Sequence, residues 1–523
     1  MKHKILSIMG AVLLMLTLLS CHKDSDTLVS YDHNETLVFG EAENSFEGKF
    51  RVLWNALNQN YALWDLEKEK GLDWDKVYDT YLPKFQALDK QNDVTDDVLS
   101  DLLYEVLGPL HDSHMIVEVK NHRTAKSVEI SPSEYRNSSR DDYEISKSYD
   151  LALTYYTKKE NGEIELDADG KPCYAEYSTS LEDLMAPVMK EDGAVLKWIN
   201  DSIDVLEDLT LPTEEQLSTL SALKALLSGL NGVQASPAGV EYYNMLATRF
   251  AYLEVPGLDP IHKSFGDVGL SIKYALLKGK IAYMGFSDFS LSPYLEDAHT
   301  PEYFPDADEF TLKHIHMIKS VWNKWFQTIQ QLHKSGELGG VILDVRGNGG
   351  GFLNDFQYVF GALLPSGGFT SNYIRYKRGT GRLDYSPWMP NVYKTISGDH
   401  VSVTEPIVVL SNCSSVSMAE ITSLSAKVAD NARLIGKRTW GGLCALTDNI
   451  EYSYNYSGHI GVKGVTPVYV YLPMLATKTL DGQQLEGIGI TPDIEVDLDS
   501  KLYETNGKDT QLDRALQYIR TGN

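Results

Sequence analysis

The sequence predicts an α/β domain behind a small helical domain, and three observations carry that prediction. After Gly266 short apolar runs of strand length alternate with amphipathic helical patterns, which is the signature of an α/β fold. One of those runs, Gly339-Gly340-Val341-Ile342-Leu343-Asp344-Val345, reads as a buried strand leading directly into glycines. Between Phe46 and Leu107 apolar residues instead recur at helical spacing, as Phe50, Leu53, Trp54 and Leu57 do on one face.

Taken in order, residues 1–21 carry Lys2 and Lys4, an apolar run and then Leu18-Leu19-Ser20-Cys21. A positive start, a short apolar stretch and a small-residue cleavage site make a signal peptide, and the cysteine after Leu-Leu-Ser resembles a bacterial lipobox with Cys21 as the lipidated residue. The alternative is a secretory leader with an incidental cysteine. Residues 22–45 are polar and read as a tether, whose acidic tract resembles surface-export signals of Gram-negative lipoproteins. Residues 46–119 read as the helical domain, with helical segments at 46–57, 74–88 and 95–107 and a strand at 115–119. Residues 120–266 read as an inserted mixed region, with turn signals at Asn161-Gly162 and Asp169-Gly170 and a capping box at Thr213-Glu214-Glu215-Gln216 before a leucine stripe. The α/β domain spans 267–500: strands at 268–276, 280–286 and 339–345, a helix at 311–334, a helix at 355–364, a strand at 407–410, a helix at 417–430 and a strand at 433–436. A C-terminal helix occupies 501–523.

Composition narrows the function. A chain of 523 residues buries a core large enough to need no metal or disulfide staple. The formal charge of −26 argues against nucleic acid and anionic lipid as main partners, since both are repelled. Beyond the leader no apolar run reaches the roughly 20 residues of a membrane span, so membrane association is expected through a lipid anchor only. Cys173, Cys413 and Cys444 match no zinc pattern; Cys413 and Cys444 read either as one disulfide or as buried free thiols. No cofactor motif is found.

Chemistry concentrates at two glycine- and serine-rich turns. The run Ile407-Val408-Val409-Leu410 passes through Ser411-Asn412-Cys413-Ser414-Ser415-Val416 into a helical pattern, leaving Ser417 at the junction. A serine hydroxyl needs a base beside it and donors for a developing oxyanion, and a helix N-terminus supplies such donors. Ser417 with Glu420 is equally an ordinary capping box. Asp344-Val345-Arg346-Gly347-Asn348-Gly349-Gly350-Gly351 turns sharply after its strand; with no Gly-Lys-Ser/Thr following, it suits an oxyanion hole better than a phosphate loop, a purely structural turn being the other reading. Among thirteen histidines His114 stands out, because Asp112-Ser113-His114 opens a strand just after the helical domain. His111 is its near rival.

These motifs, followed by Leu485-Glu486-Gly487-Ile488-Gly489-Ile490-Thr491-Pro492-Asp493, resemble in order those of the carboxyl-terminal processing and tricorn-core serine peptidases. The resemblance covers residues near 46–119 and 268–498. It implies a ClpP/crotonase-like catalytic domain and a peptide or protein substrate. The processing branch pairs its serine with a lysine twenty-five residues downstream, a position held here by Gly442, the nearest lysine being Lys437. The tricorn branch uses a Ser-His pair, a serine nucleophile and a glutamate, which by motif are Ser113, His114, Ser417 and Glu486. His114 is then the base, Glu486 acts through Ser113 to hold the imidazole, and the amides of Gly350 or Gly349 and of Met418 bind the oxyanion. Two departures stand out: Met418 follows the nucleophile where a small residue is common, suggesting a narrower pocket, and no peptide-binding PDZ domain is recognisable after residue 120. The expected function is a serine endopeptidase, lipid-anchored outside the cytoplasm at the outer membrane or surface of a Gram-negative cell. The alternative is a peptide- or glycan-binding lipoprotein on a degenerate protease scaffold, for which 31 tyrosines and 8 tryptophans would suit the surface.

Overall fold

A computed structural model describes residues 42–143, 177–180, 194–207, scattered positions to 224, and 270–523 apart from 271, 297–299, 306–308, 379–380, 397–401, 445–456 and 507–508. The leader, the tether as far as residue 41, Cys21, Cys173 and the hairpin signals near 161 and 169 lie outside the described residues, while residues 42–45 lead into the first helix, with Ala42 buried in its core.

The helical segments form where caps and apolar stripes coincide. Helix α1 (Phe46–Asn60) starts at Ser45, whose hydroxyl accepts from the Gly48 amide, and buries Phe46, Phe50, Leu53 and Leu57. A short α2 (Trp64–Glu69) follows. Asp73 caps α3 (Trp74–Asp89), and Thr95 caps α4 (Asp96–Leu107). The chain then enters strand β1 (Ile116–Asn121), β2 (Lys126–Ile130) and a short α5 (Pro132–Asn137).

The helices do not form a separate domain. β1 pairs antiparallel with β2 on one side and, on the other, with β12 (Val468–Pro473), whose far edge carries β11 (Ser457–Ile460). Leu57, Leu103 and Leu107 share one core with Val468, Val470 and Leu472. The boundary expected at residue 119 therefore runs through a sheet that the far end of the chain completes.

The α/β region is built on a seven-stranded sheet in the order β14-β10-β9-β6-β5-β4-β3. Its members are β3 (Tyr177–Ser180), β4 (Ile272–Leu277), β5 (Ile281–Phe286), β6 (Gly340–Asp344), β9 (Ile407–Ser411), β10 (Ala432–Gly436) and β14 (Ile494–Glu495). From β14 to β5 the pairing is parallel; β4 and β3 run antiparallel. Helix α6 (Ala194–Glu207) and the edge strand β3 come from the region read as an insertion.

Both faces of this sheet are covered, which is why its parallel strands read as unbroken apolar runs. Val341, Leu343, Ile407 and Val409 point to the face of α7 (Glu309–Ser335) and α8 (Met418–Val428), among Trp325, Ile329, Ile421 and Leu424. Their alternates Ile342, Val408 and Leu410 meet Leu512, Ala515 and Ile519 of α10 (Thr510–Thr521). The C-terminal helix expected at 501–523 is two helices, α9 (Ser500–Asn506) and α10.

Two further departures bear on the site. The helix expected at 355–364 is a pair of 3₁₀ turns, Leu353–Tyr358 and Phe360–Leu363, interrupted where Val359 leaves helical geometry at φ −110° and ψ −97°. A third sheet, β13-β7-β8, joins β7 (Gly368–Tyr376), β8 (Met389–Lys394) and β13 (Leu475–Thr479). No helix among the described residues is long and apolar enough to cross a membrane.

Candidate active site

The nucleophile turn lies between β9 and α8 and is bonded throughout to the end of β6. The Asn412 Oδ1 accepts the amides of Gly347 and Ser414, both at 3.0 Å. The Ser415 hydroxyl donates to the Val345 carbonyl at 2.6 Å, and the Val416 amide to the Asn348 carbonyl at 2.9 Å. Ser417 itself is held at φ 55° and ψ −113°. Such a conformation costs a non-glycine residue about 1–3 kcal/mol and persists only where the surroundings over-determine it. A serine that merely capped a helix would adopt relaxed extended geometry, as Ser45 does at φ −139° and ψ 127°. The strained turn at a strand-to-helix junction is the way a hydroxyl is lifted clear of its own backbone.

Glu420 locks the turn from the first turn of α8. Its buried carboxylate accepts from the Thr439 hydroxyl (2.6 Å), the Gly441 amide (2.8 Å), the Gly442 amide (2.5 Å) and the Ser417 amide (3.3 Å). Burial pushes its pKa up to about 7, outweighing those donors. The sequence reading treated Glu420 as a cap; its wider role is to join the nucleophile to the Gly441-Gly442 turn.

The glycine turn is anchored with similar completeness. Arg346, fully buried, donates to Asp344 (Nε to Oδ1, 2.8 Å), to Asp509 (Nη2 to Oδ2, 2.8 Å) and to Gln511 (2.9 Å), tying the end of β6 to the start of α10. Gly350, at φ 94°, lies against the nucleophile: a Cβ there would meet the Ser417 Cβ at 2.5 Å and the Val416 carbonyl oxygen at 2.8 Å. The two glycine amides expected to serve an oxyanion already have partners. Gly350 N–H donates to the Asn348 Oδ1 at 2.9 Å, and Gly349 N–H to the Ser287 carbonyl at 3.3 Å. The Met418 amide makes no hydrogen bond among the described residues and lies near Gly350. The Met418 side chain does not narrow this pocket, because it is buried in the core with Ile421 and Leu424.

The histidine loop, residues 111–114, is held from three sides. Glu67 of α2 accepts the His111 amide at 2.7 Å and pairs with the His111 ring at 2.8 Å, which commits the rival histidine to structure. Arg136 of α5 donates to the Leu110 carbonyl (2.9 Å) and to the Ser113 hydroxyl (2.8 Å). Glu486 accepts the Ser113 amide through Oε1 (2.8 Å) and the Cys444 amide through Oε2 (2.6 Å). The link from Glu486 to Ser113 thus runs through the main chain and not through the hydroxyl, which Arg136 holds.

His114 faces the nucleophile turn across Gly442. A Cβ at Gly442 would approach the His114 Cε1 at 3.2 Å and the Val416 Cγ1 at 3.3 Å, so His114 occupies space that a side chain at 442 would need. Among the described residues neither ring nitrogen has a hydrogen-bond partner, so no such bond joins His114 to Ser417 at rest. Asp112 uses Oδ1 to accept the amides of His114 (2.8 Å) and Met115 (2.9 Å), while its Oδ2 is buried with no partner among the described residues. Asp112, His114 and Glu486 each bring a polar atom within 4.8 Å of the others, close enough to be weighed as metal ligands, although both Glu486 oxygens are taken by amides. Burial lowers the His114 pKa to about 4 and raises that of Asp112 to about 7; burial and the neighbouring Asp112 raise Glu486 well above the carboxylate range.

Of the residues predicted from sequence, the structure thus brings Ser417, Gly350 and Met418 together, with His114 across Gly442, and places Ser113 and Glu486 behind the histidine. It adds Asp112, Arg136 and Glu420. Asp112 was on view two positions before the histidine; Arg136 carried no signal. Cys413 and Cys444 are free, buried thiols.

Comparison with known proteins finds similarity to peptidases. Residues 308–496 match the family model described as Peptidase family S41, and residues 42–108 that of the Tricorn protease C1 domain. The tricorn protease of Thermoplasma acidophilum is 30% identical over 181 residues, covering 34% of this chain and 14% of that protein. A tricorn protease homolog of Saccharolobus solfataricus is 23% identical over 489 residues, covering 93% of this chain and 36% of the relative. The chain therefore spans well under half the length of these curated relatives. Among solved structures, that of mature CPAF aligns with 92% of this chain and 98% of its own, at 13% identity and a TM-score of 0.44.

Proposed function

We propose that this chain, whose residues 308–496 match the peptidase family S41 model, hydrolyses peptide bonds with Ser417 as nucleophile and His114 as general base. The observation that carries the proposal is the forced backbone of Ser417, with His114 facing its turn across Gly442. In this reading His114 takes the Ser417 proton as Oγ attacks the scissile carbonyl, then returns it to the departing amine; water later releases the acyl group by the same base. The Met418 amide is the donor already open to the oxyanion. The Gly350 amide becomes the second when it leaves the Asn348 side chain, and one such donor is worth about 3–4 kcal/mol in the transition state. Glu486 holds the histidine loop through the Ser113 amide, so that of the Ser-His-Ser-Glu tetrad of the tricorn pattern the Ser113 hydroxyl is the member with a structural part, held by Arg136. The low pKa of His114 keeps the imidazole neutral and ready to accept a proton at neutral pH.

The parallel sheet with helices on both faces supports reading the domain as ClpP/crotonase-like. Substrates are taken to be peptides or unstructured protein segments outside the cytoplasm, the chain being anchored through lipid on Cys21. A Cys21→Ser variant expressed in a Gram-negative host should lose palmitate labelling; retained labelling would remove the anchor from this reading.

The test of the activity is labelling with a fluorophosphonate and hydrolysis of a quenched peptide library by wild type and Ser417→Ala. Labelling and cleavage should vanish in the variant, with turnover down on the order of a million-fold. Equal behaviour of the two would favour the second reading, a peptide-binding lipoprotein. What favours that reading is the resting engagement of the Gly349 and Gly350 amides.

A further inference from the structure

We infer that Asp112 is the positioning residue that fixes His114 for proton transfer, the task the motif alone would give to Ser113 and Glu486. This rests on the peptidase reading above. The hydrogen-bond inventory of the loop favours one acceptor, the one oxygen of the cluster that has no donor among the described residues. An imidazole acting as base through one nitrogen needs an acceptor at the other, to hold the tautomer and to stabilise the cation formed during attack. The Ser113 hydroxyl accepts from Arg136 at 2.8 Å, so it is held on the side of α5. Both oxygens of Glu486 already accept main-chain amides, from Ser113 and Cys444, which fix that carboxylate to the loop backbone. Asp112 has the free acceptor: Oδ1 anchors the amides of His114 and Met115, and Oδ2 is buried without a partner.

The histidine shows the complementary vacancy. Both its nitrogens lack partners, and the closest polar atoms of Asp112, His114 and Glu486 all lie within 4.8 Å of one another. A donor and an acceptor buried at that separation, each costing about 1–3 kcal/mol unpaired, close together by a small ring rotation. Since Oδ1 already fixes the Asp112 carboxylate to the histidine's own backbone, the movement is confined to the imidazole. The charged or titratable groups packed around the pair include Glu486 from the 485–490 loop, Glu67 of α2 through His111, the Tyr61 hydroxyl that donates to Glu67, Arg136 of α5, Glu420 of α8 beyond Gly442, and the Cys444 thiol. Of these Arg136 is the cation, and it favours an ionised Asp112.

The test compares Asp112→Asn with Ser113→Ala in the full-length protein. Asparagine retains Oδ1 for the two amides but presents an N–H₂ toward the ring, imposing the wrong tautomer. We expect kcat for a cleaved peptide to fall about 10⁴-fold in Asp112→Asn, with KM within about threefold. Ser113→Ala should lose less than about tenfold. Histidine-labelled protein examined by two-bond ¹⁵N–¹H correlation, with His114 assigned through a His114→Gln control, should show one tautomer in wild type and the opposite tautomer in Asp112→Asn. The inference is overturned if Asp112→Asn keeps kcat within tenfold, if Ser113→Ala loses as much as Asp112→Asn, or if the tautomer is the same in both. It is also overturned if chelation abolishes wild-type cleavage and zinc restores it, since the three groups would then be metal ligands. Failure of the peptidase reading is seen separately, as a wild type that neither labels nor cleaves while the tautomer assignment still stands.

Discussion

The nucleophile turn and the histidine loop are built on opposite principles. Around Ser417 the polar groups of the turn are heavily partnered: Asn412, Ser415 and Asn348 knit two strand ends together, and Glu420 accepts four donors. Around His114 the backbone is equally well tied, yet the ring and one Asp112 oxygen are buried with nothing to bond. Buried polar groups left without partners are costly, and they gather where chemistry uses them. The difference teaches that one half of the site stores its strain in the backbone, at Ser417, while the other stores unsatisfied hydrogen bonding in side chains. A fixed nucleophile faces a base whose ring no hydrogen bond among the described residues holds.

The largest test of that contrast lies in the rigid half. Gly350→Ala should be severe, because its Cβ would overlap the Ser417 Cβ at 2.5 Å and because φ 94° is strained for any side chain. Backbone strain and overpacking together predict a loss of about 3 kcal/mol in denaturant unfolding, with peptide hydrolysis at background. A variant within about 0.5 kcal/mol of wild type would mean that the turn yields, and the distinction between the two halves would collapse.

A smaller effect is expected on the side of the base. Gly442→Ala places a methyl group 3.2 Å from the His114 Cε1 and 3.3 Å from Val416. If the imidazole is free to rotate, stability should change by less than about 1 kcal/mol while kcat falls about 10–100-fold, because the ring is displaced from its line to Ser417. Full activity would show that His114 does not work from the position it holds here. Loss of several kcal/mol would show that it is packed as firmly as the nucleophile.

The two halves also differ in how much of them could be read in the sequence. The nucleophile turn is local: an apolar strand, a serine and a helical pattern lie within fifteen residues, and the glycine run that faces it announces its own backbone need. Most strands and helices of the large sheet were legible for the same reason, since a strand buried on both faces is apolar throughout. The histidine loop is assembled from Glu67, Arg136 and Glu486, and the bond from Glu486 to Ser113 spans 373 positions. Local spacing cannot express such a contact, so it was motif resemblance that singled out Glu486 as acting through Ser113, and the structure makes that link by the main-chain amide. The pairing of β1 with β12, which dissolved the expected domain boundary, was illegible for the same physical reason. His111 could be set aside in favour of His114 only once Glu67 was seen to bind it.

The smallest effect concerns protons. Glu420 in the satisfied half and Asp112 in the unsatisfied half are both fully buried, and burial lifts each to about 7, from ordinary values of 4.5 and 3.8. An acid whose folded pKa exceeds its unfolded one binds its proton more tightly when folded. Its contribution is therefore most favourable below the unfolded pKa, and it is lost as pH rises toward the folded value. Between about pH 5 and 7 each group should lower unfolding free energy by at most about 1.4 kcal/mol per pH unit, with no further change above about pH 8. Denaturant titrations at pH 5, 6, 7 and 8 on wild type, Glu420→Gln and Asp112→Asn measure this as a difference in slope, which separates titration from any constant cost of the substitution. Both variants should flatten the decline. If only Asp112→Asn does so, the four donors to Glu420 hold it ionised against its burial, and hydrogen-bond satisfaction, rather than depth, decides where the protons of this site reside.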